Sequence, residues 1–260
     1  MSFLIFAVCL CASCIGAVVG AGGGVIIKPV MDTLGIFTAT EISFLSGCTV
    51  FAMSLSSLIR GRKSEVKLEP AVSVPIAIGS VFGGLAGKGI FDLIKQAFGS
   101  ETLLGGIQSV AMTGVLLVVL TYLLFKSRLP SKNVKSKLAA LLIGIVLGMS
   151  SSFLGIGGGT LNVAMILFFF SMDAKQAAKN SIFVILCSQA ANIIFSAAAG
   201  NIPEIRLLHL VVMVAGGVSG GIIGSGISKK INSQKVEYML IALVLAVIAI
   251  TVRNAVSAFA

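Results

Sequence analysis

Two glycine-rich pentads are the part of this sequence best suited to binding a ligand. They read Gly20-Ala-Gly-Gly-Gly24 and Gly155-Ile-Gly-Gly-Gly159, displaced by 135 residues. Three adjacent glycines break an α-helix, and without Cβ atoms a ligand can approach the main chain closely. A helix that begins just after such a break directs free N–H groups and the positive end of its dipole towards it. We therefore expect the pentads to bind an anion, and the alternative is close helix packing on small residues.

The glycines of the pentads and two polar residues after the second pentad form the first set of candidate substrate-binding residues. The two polar side chains would add hydrogen-bond donors if they face inward. The set consists of Gly20, Gly22, Gly23, Gly24, Gly155, Gly157, Gly158, Gly159, Thr160 and Asn162.

The apolar segments that follow the pentads carry matched polar residues at the same displacement of 135. The pairs are Ser46 with Ser181, Ser54 with Gln189, and Ser57 with Asn192. On a helix each trio falls within about 80° of arc, so each helix presents one polar stripe. Such a stripe could hydrogen-bond a desolvated oxyanion, and adhesion between helices is the alternative. We include all six residues among the candidate substrate-binding residues.

Lys28 is the last candidate substrate-binding residue. A charged side chain at the centre of a bilayer costs about 3 kcal/mol on insertion scales, so we expect it to have an ionic partner or a function. Lys28 lies four residues after Gly24. Its ammonium group could attract an anion to the first pentad. The alternative, which the sequence slightly favours, is a side chain that extends to the membrane surface.

The composition places these residues in a membrane protein. Of the 260 residues, 57% are hydrophobic and only 11% are charged, and the mean hydropathy is +1.09. So few charged residues cannot cover the surface of a water-soluble domain. The net charge of +10 would suit a nucleic-acid partner in a soluble protein, but the bases lie in short loops between apolar runs. This distribution is typical of a polytopic membrane protein, with the lipid bilayer as its partner and no nucleic acid.

Apolar runs of membrane length divide the chain into eight segments. They cover residues 3–34, 39–59, 70–91, 102–125, 138–170, 174–199, 203–227 and 237–256. The pentads recur in the first and fifth segments, and five glycines between positions 79 and 89 recur between 216 and 226 at a displacement of 137. We predict a first membrane repeat over 1–125, a basic linker over 126–137 and a second membrane repeat over 138–260. The glycines of the third and seventh segments read as helix-packing surfaces.

Segments one and five are too long for one span and too short for two, so we predict re-entrant hairpins that turn at the pentads. The repeats are then inverted relative to each other. This topology puts 14 of the 19 Lys and Arg residues on one side of the membrane and leaves 5 on the other, with both termini on the less basic side. Eight plain crossings would divide the same bases 11 against 8. The positive-inside rule therefore favours the hairpins. The predicted fold is an all-α integral membrane protein of two four-segment repeats.

The sequence lacks the residues that several classes of function require. The chain has one histidine and no paired acids inside the apolar runs, which argues against a membrane enzyme or a metal site. Neither pentad continues into the Lys-Ser/Thr of a phosphate-binding loop, so we expect no ATP coupling and no cofactor. An anion channel stays open as an alternative, since re-entrant loops also line pores. A divalent-cation permease is a further alternative, weakened by the lack of buried acidic ligands.

The stretch Gly-Ala-Gly-Gly-Gly-Val-Ile-Ile-Lys-Pro at 20–29, repeated as Gly-Ile-Gly-Gly-Gly-Thr-Leu-Asn-Val-Ala at 155–164, resembles the duplicated signature of the sulfite exporter TauE/SafE family. The likeness extends to the eight-segment layout. Pro29 matches the usual proline of that family, and Ala164 departs from it. The resemblance implies a multi-pass permease of the bacterial inner membrane that moves small sulfur-containing or organic anions, such as sulfite or a sulfonate.

Together these observations predict a secondary transporter for a small anion that works by alternating access between the two repeats. A homo-oligomer is left open.

Overall fold

The computed structural model describes residues 2–62, 64, 66–98, 101–128, 132–156, 158–200 and 202–259. This part of the chain is helical and contains no strand. Its ten α-helices and one 3₁₀ turn (Lys126–Arg128) follow one another as α1 (Ser2–Val19), α2 (Gly24–Leu34), α3 (Ala39–Gly61), α4 (Pro70–Phe98), α5 (Glu101–Phe125), α6 (Lys137–Leu154), α7 (Gly159–Phe170), α8 (Ala174–Ala198), α9 (Leu207–Lys230) and α10 (Ser233–Phe259).

Eight of the described helices are long and apolar enough to cross a membrane, namely all except α2 and α7. Large apolar side chains such as Phe82, Val118 and Ile194 are exposed on the outside of the bundle, as a lipid-facing surface requires. The predicted all-α integral membrane fold is therefore confirmed. The division into two repeats at residues 126–137 stays a prediction.

The first and fifth predicted segments are each broken at their glycine pentad. Helix α1 ends at Val19 and α2 begins at Gly24, while α6 ends at Leu154 and α7 begins at Gly159. The breaks use backbone conformations that favour glycine, with φ of +76° at Gly20 and +75° at Gly158.

At the first break, α2 folds back along α1. A Cβ atom at Gly23 would lie 2.9 Å from the Ser13 hydroxyl oxygen, and one at Gly16 would lie 2.6 Å from the backbone nitrogen of Gly23. Ile5 near the start of α1 and Met31 near the end of α2 share one apolar cluster. The two helices thus form a hairpin, whose re-entrant position in a bilayer stays a prediction.

The glycines of the third and seventh predicted segments form close helix contacts. Helix α4 packs against α6, and α9 packs against α1, so each half of the chain supplies a long helix to the hairpin of the other half. The glycines that face the backbone of those partner helices are Gly79, Gly83 and Gly87 in α4, and Gly216, Gly220 and Gly224 in α9, while Gly217 and Gly221 of α9 face the backbone of α3. This confirms their interpretation as packing surfaces.

Asp173 directly precedes helix α8, and its carboxylate caps the start of that helix. Asp173 Oδ1 accepts hydrogen bonds from the backbone N–H groups of Lys175 at 2.8 Å and Gln176 at 3.0 Å, and from the Ser233 hydroxyl at 2.7 Å. Partial burial tends to raise the pKa of Asp173, but the hydrogen bonds from Ser233, Gln176 and Lys175 outweigh it and hold this pKa below the ordinary value. The cap also joins the start of α8 to that of α10.

Replacing Gly83 with alanine should destabilise the protein by roughly 1–3 kcal/mol, because the new Cβ would collide with the Ile145 carbonyl and α6 would have to shift. The midpoint of thermal unfolding in detergent measures this. Gly89→Ala is the matched control on the same helix, since no atom lies within 4 Å of its Cβ position. Equal midpoints for the two variants would contradict the close packing of α4 on α6.

Replacing Asp173 with asparagine should keep the cap and lose the charge, whereas Asp173→Ala should lose the cap as well, at a cost of about 1 kcal/mol. Because the pKa of Asp173 is lower in the folded protein, its charge stabilises the fold above the unfolded-state pKa of about 3.9. That contribution is lost as the pH falls through the folded pKa. The difference in unfolding midpoint between wild type and Asp173→Asn should therefore shrink on acidification, and a difference that grows instead would contradict the assignment.

Candidate functional site

The two glycine breaks meet in the middle of the bundle. A Cβ atom at Gly24 would collide with the carbonyl oxygen of Ile156, and a Cβ atom at Gly159 would collide with that of Ala21. Each contact is the other displaced by 135 residues at both partners. Only glycine permits two breaks to approach this closely. This contact explains why the last residue of each pentad is a glycine.

Two of the matched serines hold the breaks from the opposite half of the chain. The hydroxyl of Ser46 in α3 donates to the carbonyl oxygen of Gly155 at 3.1 Å, and that of Ser181 in α8 donates to the carbonyl oxygen of Gly20 at 2.7 Å. A carbonyl freed by a helix break inside an apolar bundle needs such a donor. In this conformation both hydroxyls therefore support the breaks.

A cavity with a volume of about 940 Å³ ends at the second break. Its wall includes the first half of α3, the last half of α4, the end of α6 and the last half of α8, and residues 200 and 202–204 lie at its mouth. We call the end of the bundle where it opens the cavity face, and the opposite end the basic face. Three predicted site residues, Gly155, Gln189 and Asn192, line this cavity.

Lys28 lies directly behind the inner wall of the cavity. Its ammonium nitrogen is 3.5 Å from the Ser43 hydroxyl and 3.9 Å from Asp32 Oδ2, and only 2% of the residue is exposed. A Cβ atom at Gly155 would lie 3.5 Å from Lys28 Cδ. The expectation that Lys28 extends to the membrane surface is therefore wrong, because α2 turns this side chain towards α3 and the second break.

Buried polar atoms without a hydrogen-bond partner gather at the start of α7. They include the hydroxyl oxygens of Ser151 and Thr160 and Oδ1 of Asn162. A Cβ atom at Gly158 would lie 2.9 Å from the Ser151 hydroxyl and 3.2 Å from Asn162 Oδ1. Buried polar groups in proteins are nearly always satisfied, so this cluster suits a polar guest. The second break thus combines a helix N-terminus with side-chain donors and a nearby cation.

The first pentad lies in a different environment. Gly20 packs on Ala178 of α8, Gly22 contacts Ile185 and Val50, and Gly23 packs on Ser13. Of the other predicted residues, Ser54 and Ser57 are buried on the half of α3 nearer the basic face. Gly157 lies outside the described residues. The structure brings together Gly155, Gly158, Gly159, Lys28 and Asn162. Of the glycines of the first pentad, only the last, Gly24, meets the second break, while Gly20, Gly22 and Gly23 lie against other neighbours.

Several residues of the cavity wall escaped the sequence analysis. Lys88 of α4 donates a hydrogen bond to the Ser196 hydroxyl at 2.6 Å, and Asn192 Nδ2 donates to the Ser152 hydroxyl oxygen at 2.9 Å. Two signals could have found them. Lys88 is a lone charge between two glycines of an apolar run, and Ser152 belongs to a three-serine run just before the second pentad.

Comparison with known proteins agrees with this architecture. The family model described as "Sulfite exporter TauE/SafE" matches residues 5–251, nearly the whole chain. The chain belongs to the TauE/SafE family. It is 23% identical over 263 aligned positions to a protein of Bacillus subtilis (strain 168) named "Probable membrane transporter protein YunE", with 92% of this chain and 93% of that protein covered.

A second relative from the same strain, "Probable membrane transporter protein YjnA", is 24% identical over 250 positions, which cover 89% of this chain and 93% of that protein. No solved structure matches the chain. Family membership and eight membrane-length helices make this chain a multi-pass membrane protein.

Replacing Ser181 with alanine should lower the stability of this TauE/SafE protein by roughly 1–3 kcal/mol, because the carbonyl of Gly20 loses a buried donor. Thermal unfolding of the purified protein measures the loss. Ser188→Ala on the same helix is the control, since that buried hydroxyl bonds only to the carbonyl of Ile185 one turn earlier. A loss no larger than that of the control would mean that the first break does not depend on Ser181.

Proposed function

We propose that this membrane transporter moves a small oxyanion, such as sulfite or a sulfonate, by alternating access across the bacterial cytoplasmic (inner) membrane. The observation that carries the proposal is the buried ammonium group of Lys28 behind the cavity wall formed by Ser43 and Gly155. A cation held in an apolar bundle attracts an anion far more strongly than one in water. Asp32 is an ionic partner of Lys28, with 3.9 Å between Asp32 Oδ2 and the ammonium nitrogen.

The binding site that we propose lies at the inner end of the cavity. The start of α7 directs the positive end of its dipole there, and Ser151, Thr160 and Asn162 offer buried polar groups around Gly158. Gln189 and Asn192 line the route from the mouth. The cavity is much larger than a small oxyanion, so its outer part serves as a wet entrance and its inner end as the site.

The alternating-access mechanism rests on the reciprocal contacts between the halves of the chain. Equivalent helices run in opposite directions, because the first half of α3 and the last half of α8 line the same cavity. An inverted duplication accounts for this arrangement and for the matched contacts of Ser46 and Ser181. With the basic face towards the cytoplasm, as the positive-inside rule favours, the cavity opens outward.

A divalent-cation permease is the second candidate, because Glu41, Asp92 and Glu204 stand at the cavity mouth. Glu41 also closes a capping box, in which its carboxylate accepts from the Thr38 backbone N–H at 2.7 Å. Among the described residues, no group of three or more His, Cys, Asp or Glu side chains is placed to hold a metal ion. The anion is the better match to Lys28 and the start of α7.

Purified protein in liposomes should carry sulfite or a simple sulfonate in a saturable manner that responds to an imposed pH or voltage gradient. Replacing Lys28 with methionine should reduce the transport rate at low substrate concentration at least tenfold, because the attraction of the buried cation is lost. Lys135→Met is the control, since Lys135 is exposed far from the cavity.

Thermal unfolding and insertion should be checked for Lys28→Met, so that lost transport is not lost folding. Full transport by a well-folded Lys28→Met protein would contradict the proposed site. Flux that never saturates would favour a channel, and transport of divalent cations instead of anions would favour the permease.

A further inference from the structure

A second, much smaller pocket lies at the basic face, between the last half of α3 and the first half of α8. Its volume is about 40 Å³, against about 940 Å³ for the open cavity. Three lysines (Lys175, Lys179 and Lys229) and buried hydroxyl groups such as those of Ser57 and Ser225 line it. We call it the basic pocket.

The basic pocket is built from the repeat counterparts of the residues that line the open cavity. Ser57 corresponds to Asn192 and Ala17 to Ser152 at the displacement of 135, and Lys229 corresponds to Asp92 at the displacement of 137 found between α4 and α9. At one or the other of these displacements, 12 of the 13 residues that line the basic pocket have their counterpart in the cavity wall. The pocket and the cavity are therefore the same part of the fold at opposite faces.

Side chains of α8 and α9 bind the backbone of the last residues of α3 and of the loop that follows it, at the edge of the basic pocket. The ammonium group of Lys179 donates to the carbonyl oxygen of Val66 at 2.6 Å and to that of Gly61 at 3.1 Å. Lys229 donates to the carbonyl oxygen of Arg60 at 2.8 Å. Hydrogen bonds from charged donors are among the stronger ones in proteins.

The open cavity has a different arrangement, in which Lys88 donates to the Ser196 hydroxyl and no lysine stands at the counterpart positions of Lys175, Lys179 and Lys229. The counterpart of Lys179 there is Phe44, and the counterpart of Lys229 is Asp92, neither of which can donate such a bond. The counterpart of Lys175 is Thr40. The same architecture therefore has a cationic wall at the basic face and a wall without these three cations at the cavity face.

We propose that the basic pocket is the narrow counterpart of the cavity and widens into the anion-binding vestibule of the opposite face when Lys179 and Lys229 release the end of α3 and the loop after it. An arriving oxyanion offers these lysines a full negative charge in exchange for neutral carbonyl groups. The pocket opens as the cavity closes, because α3 and α8 form walls of both. This proposal rests on the alternating access proposed above and names the residues that gate it.

Two cysteine probes in a variant without the native cysteines (Cys9, Cys11, Cys14, Cys48 and Cys187) test the exchange. Ser57→Cys places a thiol in the basic pocket, and Ser152→Cys places one in the cavity wall. In sealed vesicles of known orientation, a membrane-impermeant maleimide should label Ser152→Cys from the cavity face and leave Ser57→Cys nearly unlabelled.

Adding Lys179→Met should raise the labelling rate of Ser57→Cys from the basic face at least tenfold and lower that of Ser152→Cys from the cavity face. Lys229→Met should act in the same direction. Lys179→Arg keeps a charged donor and should stay near the starting rates, as should Lys135→Met, whose exposed lysine lines neither the basic pocket nor the cavity. Circular dichroism and size-exclusion chromatography of each variant show whether it is folded.

Higher labelling of Ser57→Cys without lower labelling of Ser152→Cys would overturn the proposal, because the pocket would then open on its own. Unchanged labelling in folded Lys179→Met and Lys229→Met proteins would overturn it as well. If labelling rises at Ser57→Cys and falls at Ser152→Cys, but the protein transports neither sulfite nor a sulfonate, the gate is supported and the proposed substrate is contradicted. The two proposals therefore fail in different ways.

Discussion

The fold depends on one constraint, which is that a helix broken inside an apolar bundle leaves backbone groups that water cannot reach. The breaks at the pentads free the carbonyl groups of Gly20 and Gly155, and the chain supplies each with a serine hydroxyl from the other half. Gly24 and Gly159 then let the breaks approach each other without side chains between them. Neither hairpin is completed by its own half of the chain, so the halves must interlock.

The interlocking also determines which parts of the molecule can move. Helices α4 and α6, and likewise α1 and α9, approach so closely at their glycines that separation would lose extensive packing. Helix α3 is packed on α9 in the same way, through Gly217 and Gly221. The contacts of α8 with the end of α3 and the loop after it are of another kind, a few polar bonds from Lys179 to carbonyl groups. Separation at these polar bonds would break fewer contacts than separation at the glycines.

The sequence predicts the breaks and the packing glycines because both depend on residue type and spacing alone. It does not predict which pentad faces the cavity, since the two are nearly identical and differ in their surroundings: Gly20 meets Ala178, whereas Gly155 meets Ser43. The expectation from the sequence that the Lys28 side chain reaches the membrane surface is wrong for a similar reason. Whether a long side chain reaches the surface depends on how α2 turns against α3, which is a contact between distant segments. Lys88 and Ser152 were missed because the exchange of helices between the halves brings α4 and α6 into one wall.

The two pockets differ in the charge of the residues that line them. The lysines of the basic pocket satisfy the positive-inside rule, and the same residues raise the local concentration of an anion at that face. The wall of the cavity carries Lys88 together with Asp92 and Glu204, so cationic and acidic side chains partly offset each other there. Under the proposed transport, fixed charge changes the affinity of each face for an anion and leaves the free energies of the anion in the two bulk solutions unchanged. The net direction then follows from the gradients of the anion and of any coupled ion, and the diverged charges of the duplicated framework set only how much anion each face needs.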